Sequence, residues 1–365
     1  MKISTKFQKT FSIDKTTFLD IFIIPILATS LAITLGLLLL LLTGESYQTA
    51  LKALVALFFG SFGSLSALSE TLTASTPLIF AALGIAIGFR AGLFNIGAEG
   101  QIIIGGLAAV IIGFSVELPV ILHLTLMLSV GAVLGAGYAF ISGWLKAFTG
   151  AHEVITTIML NLIAFRLLDF FLRLPFIQKE GRNDPISKSV LETAELPRLL
   201  TFIDPNLRIH AGFLIAVLAV IFVYWLIFHT TIGFEFRTVG TNVNAAKYAG
   251  INSSLTVILA MSAAGLCAGL AGASQISGVL GRATGGFSAG IGFDAIAVAL
   301  LGRAHPIGVL FSGILFGALV AGGREMQVAA GVSLDLITVI QALIIIFIAA
   351  PILIKSIFPW FFPKP

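Results

Sequence analysis

Between two apolar runs stand the residues FRAGLFNIGAEGQ, 89–101. They bring Asn95, Glu99 and Gln101 together with glycines at 92, 97 and 100. Each glycine disfavours a continuous helix by about 1 kcal/mol relative to alanine. Amides and a carboxylate at such a break can hold interrupted backbone together. They can also meet the hydroxyl and amide groups of a passing solute. A third reading is a hairpin that is polar because it touches water. Asn161 is a further amide, placed inside an apolar run at 154–176, where it needs a hydrogen-bond partner from another helix.

Other chemistries lack their residues. No Gly-x-x-x-x-Gly-Lys-Ser/Thr loop is present for a nucleotide phosphate. His152-Glu153 begins like a zinc-protease helix, but Thr156 stands where the second histidine belongs. Cys267 is the single cysteine and the five histidines are scattered, so a thiolate or histidine metal site is not expected. No serine occupies a nucleophile elbow. Arg166 and Asp169 lie three apart, where they can pair on one helix face or meet cargo. Asp294 and Asp335 suit helix amino-terminal ends, where a carboxylate meets the positive dipole end.

The elements that carry these residues belong in lipid. Of 365 residues 58% are hydrophobic and 10% charged, against about a quarter charged in a soluble domain. Apolar runs recur at lengths near the ~20 residues a helix needs to cross a bilayer. They predict an all-α polytopic bundle of about ten spans: near 20–42, 72–89, 101–116, 118–145, 153–175, 210–229, 254–279, 291–303, 306–323 and 333–356. Residues 48–68 are moderately apolar and either lie on the outer surface or dip in. The whole of 1–365 reads as one transmembrane domain, without an internal repeat.

Lys2, Lys6, Lys9 and Lys15 give the 1–19 tail its charge and place it in the cytoplasm. They read as a topology signal, not a nucleic-acid patch. Ten spans then return the carboxyl terminus, with Lys355 and Lys364, to the same side. The loop 177–209 falls outside and the segment 230–253 inside. Five Lys/Arg in 177–209 pull against that assignment. The pairs Gly84/Gly88, Gly131/Gly135, Gly265/Gly269 and Gly313/Gly317 have the small-xxx-small spacing of closely packed membrane helices.

Two segments taken together, GLFNIGAEGQ at 92–101 and FRTVGTNVNAAKYAGIN at 236–252, resemble the integral membrane permeases of bacterial ABC importers. The group is the one serving branched-chain amino acids, simple sugars and nucleosides. LKAFTGAHEVITTIMLN at 145–161 and GFDAIAVALLGRAHPIGVLFSGILFGAL at 292–319 agree, and the first looks most like the nucleoside-type subunit. The resemblance covers roughly 50–350. It implies a type II-like importer fold and a plasma (inner) membrane location. It implies no cofactor in this chain, with ATP and Mg held by separate cytoplasmic ABC ATPase subunits. A second, similar permease subunit would complete a heterodimer, and an external solute-binding protein would deliver cargo. The substrate-path residues would be Asn95, Glu99, Gln101 and Asn161.

The resemblance also gives 230–253 a role in coupling to the ATPase, through Arg237, Gly240, Asn244, Ala245, Ala246, Tyr248, Gly250 and Ile251. The residues themselves allow it. Asn244 can cap a short helix through Ala249, with Gly250 at its left-handed exit. Two alanines let that helix sit deep in a partner, anchored by Tyr248 or Ile251. The same residues would serve an ordinary surface turn between spans. The competing function is a secondary transporter driven by an ion gradient. It predicts paired broken helices, and the sequence shows one clear break without a matching one.

Overall fold

The computed structural model describes residues 24–349, 351–357 and 360. The cytoplasmic-tail assignment for 1–19 and that for Lys364 lie outside the described residues. In chain order the helices are α1 (Ile24–Leu42), α2 (Tyr47–Phe62), α3 (Leu65–Arg90), α4 (Ala98–Ser115), α5 (Val120–Thr149) and α6 (Glu153–Leu172). There follow α7 (Gly212–His229), α8 (Thr231–Thr241), α9 (Val243–Tyr248), α10 (Ser253–Gln275), α11 (Ile291–Leu301), α12 (Pro306–Ala330), α13 (Asp335–Ala349) and α14 (Pro351–Ile357). Among the described residues seven helices are long and apolar enough to cross a membrane: α3 to α7, α10 with its extension to Leu280, and α12. Three shorter apolar helices begin at Ile26, Ile291 and Asp335. Together they match the ten expected runs. Residues 48–68 fold as the separate helix α2 and the start of α3. Ser64 caps α3, its Oγ accepting from the Ala67 N–H at 3.0 Å.

The chain divides into two compact units. In the first, formed by residues before 55 and after 325, α1 packs on α13 and α14. Gly36 permits that approach, since a Cβ there would come within 2.5 Å of the Ile340 side chain.

The second unit, 55–325, holds the residues singled out above. Its centre is α3 and α10. α10 packs against α3, α4 and α5. The α3 span is 83% buried and that of α4 72%, against 22% for α6. The peripheral helix therefore turns apolar side chains such as Ile155, Leu162 and Phe170 outward. The pairs Gly131/Gly135 and Gly265/Gly269 do what their spacing predicts, whereas Gly88 meets only the loop that follows it. A Cβ on Gly265 would strike the Gly135 carbonyl, and one on Gly269 the Gly131 carbonyl, so α5 and α10 meet backbone to backbone. Inside α3, Thr73 and Thr76 donate their hydroxyls to carbonyls four residues back, which satisfies them without water. Arg166 and Asp169 form no ion pair, contrary to the expected pairing; Arg166 points outward.

Two interruptions organise this unit. The first is 91–97, between α3 and α4. The second, absent from the sequence reading, is 281–290, between a π-turn at Ile276–Leu280 and α11. α11 spans only part of the bundle. Its start shares a cavity with Thr73 and Leu78 of α3, while past its end the Ala304 carbonyl accepts from Arg90 Nε at 2.9 Å. At 1.5 Å rise per residue, Leu78 to Arg90 covers about 18 Å, close to the length of an 11-residue helix. Left-handed residues bound α11 on both sides: Ala289 (φ 47°) and Gly290 (φ 80°) before it, Arg303 (φ 53°) and Ala304 (φ 48°) after it.

Candidate functional site

The first interruption begins where α3 unwinds. Gly92 takes φ 71°, and the Leu93 N–H turns back to the Gly88 carbonyl at 2.9 Å. Leu93, Asn95 and residues 97–101 are buried. Gly92 and Phe94 remain exposed, but the polar side chains of the break are packed in protein, the condition under which open backbone persists at membrane depth.

Three amides close it. Asn95 and Gln101 form a reciprocal pair, each Nδ2 or Nε2 donating to the other's carbonyl oxygen at 3.1 Å. Asn95 Oδ1 also accepts from the Gly97 N–H at 2.9 Å. Asn161 reaches across from α6. Its Oδ1 accepts from the Gly100 N–H at 2.8 Å and its Nδ2 donates to the Ile96 carbonyl at 2.9 Å. Gly100 lies inside α4 and is needed for closeness: a Cβ would stand 2.9 Å from Asn161 Oδ1.

Glu99 does something the sequence did not announce. It stands in the first turn of α4, 1% exposed, yet serves the start of α11. Its carboxylate accepts from the Gly290 N–H at 3.1 Å and the Gly292 N–H at 2.7 Å. A carboxylate is stabilised there by the unpaired donors and the positive end of the helix dipole. Gly292 lies directly on the Glu99 backbone, where a Cβ would sit 2.5 Å from Glu99 Cα. Two helix amino termini thus meet inside the bundle, joined by one carboxylate. Asn95, Glu99, Gln101 and Asn161 all come together here. Gly290 and Gly292 complete the site and were missed; the only trace was a glycine doublet before an apolar run.

The coupling residues gather elsewhere. α8 buries Gly233, Phe236 and Val239 on one face. α9 begins two residues earlier than expected. Asn242, not Asn244, is the cap, because it alone has the extended backbone (φ −158°) that directs Oδ1 to the Asn244 and Ala245 N–H groups, at 3.0 and 3.1 Å. The exit is as expected. Gly250 has φ 80°; its N–H donates to the Lys247 carbonyl and that of Ile251 to the Ala246 carbonyl, each at 3.0 Å. Ala246 is buried, while Asn244 and Ala245 are exposed, Ile251 is half-buried and Tyr248 is 96% exposed.

The two sites touch. Gly240 at the end of α8 lies against Gly92 and the end of α3, close enough that a Cβ would strike the Arg90 carbonyl. Beside them the guanidiniums of Arg237 and Arg90 lie over the Phe228 ring, at 5.5 and 5.6 Å from its centre. His305 packs on the same ring at 5.3 Å, its pKa lowered first by burial and then by Arg90. A displacement of α8 therefore bears directly on the mouth of the first interruption.

A many-spanning helical bundle with interrupted helices is an architecture suited to a membrane transport protein. Residues 67–349 match the family described as "Branched-chain amino acid transport system / permease component", and the chain belongs to it. Among similar curated proteins, the guanosine ABC transporter permease protein NupP of Bacillus subtilis is 36% identical over 337 residues, 92% of this chain and 95% of that one. The glucose ABC transporter permease protein TsgB13 of Haloferax volcanii is 38% identical over 298 residues, 80% and 78% of the two chains. The nucleoside ABC transporter permease protein NupB of Lactococcus lactis is 34% identical over 342 residues, 92% and 93%. No solved structure gives a significant match. The chain is an ABC transporter permease, a transport component and not an enzyme.

Proposed function

We propose that this chain forms one side of the path by which an ATP-driven importer takes up a nucleoside or a sugar-like solute. Separate cytoplasmic ATPase subunits, binding ATP and Mg, supply the work. A second, similar permease completes the path, and an external solute-binding protein delivers cargo. The relatives that cover most of the chain favour a nucleoside, two of them being named for guanosine and nucleosides. On this reading both termini and 230–253 face the cytoplasm of a bacterial inner membrane, 177–209 faces outward, and 1–365 works as one permease domain.

The observation that carries the reading is the contact of α8, which adjoins α9, with the first interruption. α9 offers a partner an exposed aromatic, Tyr248, on a helix capped at both ends. Behind it, Gly240 rests on Gly92. Pressure from an ATPase on α9 would pass through α8 to residues 91–97. Asn95, Gln101 and Asn161 keep that stretch from yielding independently, and Glu99 passes the movement on to α11. The second interruption supplies the paired breaks that an ion-gradient carrier would also have, but the relatives similar over most of the chain are named ABC transporter permeases.

Gly250→Trp tests the reading. A side chain at φ 80° is strained, and the bulk falls on the docking surface rather than the core. The variant should insert normally and lose ATP hydrolysis coupled to uptake. Undiminished uptake would remove α9 from the drive. In the wild type, uptake should stop when ATP is depleted while the ion gradient is kept.

A further inference from the structure

We infer that Asp294 is a cargo-binding residue that accepts hydrogen bonds from the ring hydroxyls of the sugar moiety, in the cavity beside the second interruption. This rests on the function proposed above and names where that cargo is read. The cavity, of about 130 Å³, lies between α3, the π-turn, the start of α11 and α12. Its polar lining is Glu70, Thr73, Arg208, Gln275, Asp294 and Arg324. Most of these groups are spoken for. Glu70 pairs with Arg208 at 3.4 Å and Arg324 at 3.6 Å, and the Thr73 hydroxyl goes to Ser69.

Asp294 is the exception. It has no ion pair or hydrogen bond from its carboxylate among the described residues, although it stands in the first turn of α11. Helix capping does not account for it, because the donors of that turn are already used. The Gly290 and Gly292 N–H groups go to Glu99. The Ile291 N–H goes to the Ser288 carbonyl, and those of Phe293 and Asp294 to the Gly290 carbonyl. The carboxylate is left over, in a cavity whose other unengaged polar side chain is the Gln275 amide.

The lining selects the ligand. Arg208 and Arg324 are balanced by Glu70 and Asp294, so the lining as a whole favours neither an anion nor a cation. A bound metal ion finds too few ligands, since among the described residues no three His, Cys, Asp or Glu come together to hold one. A neutral ring with adjacent hydroxyls fits: a carboxylate accepts two O–H bonds, and the amide can donate to and accept from a third group. The volume falls below the ~300–1,000 Å³ of pockets for drug-sized ligands, so it suits a sugar ring rather than a sugar and base together. Pro77 and Leu78 give that ring an apolar wall.

The test compares probes with and without those hydroxyls in the reconstituted transporter. The pairs are guanosine against 2′,3′-dideoxyguanosine, and glucose against 2-deoxyglucose. Hydrogen bonds to a charged group correspond to about 10- to 100-fold in affinity. Asp294→Asn should raise KM for the hydroxylated probe by that order and leave the deoxygenated one little changed, so that selectivity collapses. Gln275→Ala should act in the same direction with a smaller shift, and it keeps the idea testable where Asp294→Asn inserts poorly. A fall in Vmax with selectivity intact in both variants would show a structural role and overturn the inference, while leaving the importer reading in place. Sodium-dependent uptake abolished by Asp294→Asn would mark a cation site and overturn it equally. If the wild type carries none of the probes on ATP, the cargo reading fails first and takes this inference with it.

Discussion

At residues 91–97 the chain is held by side chains, whereas at 281–290 it is held largely by backbone. The first interruption has Asn95, Gln101 and Asn161, whose amides take up the free N–H and carbonyl groups one by one. The second leans on the long segment 177–209. The Ser187 N–H donates to the Ala283 carbonyl at 2.9 Å, and the Val190 N–H to that of Gly281 at 2.8 Å. Its side-chain braces among the described residues are Ser187 Oγ, which accepts from the Ala283 N–H at 2.9 Å, and Glu99, lent by the first. Side-chain bracing leaves a mark in the sequence, because amides and carboxylates in an apolar run are costly without partners. Backbone bracing leaves almost none, because every residue carries the same N–H and carbonyl.

Gly292→Val should break this arrangement most severely. The new side chain meets the backbone of Ala98 and Glu99, which cannot rotate away. It would part the two helix starts and unmake both Glu99 bonds, an effect of about 4 kcal/mol or more. Membrane abundance should fall many-fold. Gly285→Ala is the control within the same interruption, where the nearest atom to a new Cβ is Pro185 Cγ at 4.0 Å. Its abundance should stay near wild type. Equal losses from the two would mean that the junction with Glu99 is not what holds the second interruption.

Asn95→Ala comes next. It orphans the Gln101 amide and the Gly97 N–H, each a buried group costing about 1–3 kcal/mol when unpaired. A lower melting temperature in detergent should accompany lower uptake. Uptake reduced well beyond the loss of protein would give Asn95 a part in the path; parallel losses would confine it to bracing.

The smallest effect is set by pH at the approach to the second interruption. His210 is buried against Gly212 and Gly278, and burial, then Arg208, lowers its pKa from 6.5 to about 4. Its Nδ1 accepts from the Gly212 N–H at 3.2 Å, while Nε2 has no partner among the described residues. The neutral ring is the folded form. Its stabilisation is complete above pH 6.5 and is lost as pH falls from there towards 4, since the unfolded chain binds the proton first. Melting temperature should therefore drop between pH 7 and pH 4.5, and His210→Gln should flatten that part of the profile. An unchanged slope in the variant would clear His210 of any role in it.

How much of this was legible follows from the same physics. The polar break was visible because Asn95, Glu99 and Gln101 violate an apolar pattern. The exit at Gly250 was visible because few residues other than glycine tolerate φ 80°. The cap was misplaced from Asn242 to Asn244, since two asparagines of equal capping chemistry stand two apart and only backbone conformation separates them. Arg166 and Asp169 had the right spacing, but spacing does not make an exposed side chain turn back to a half-buried one. The second interruption was hidden, because its partners lie far away in the chain.

The sequence by itself determined the membrane class, the positions of the apolar runs, the first interruption and the family. The family came from the resemblance of particular motifs; the rest depends on composition and local order, which hydrophobic transfer and backbone preference convert directly into structure. Only the tertiary structure decided that α11 begins part-way along α3, that Glu99 belongs to the other helix start, and that Asp294 is left facing a cavity. Those outcomes depend on which donors and acceptors packing brings within 3 Å or so of one another, and no local pattern carries that information.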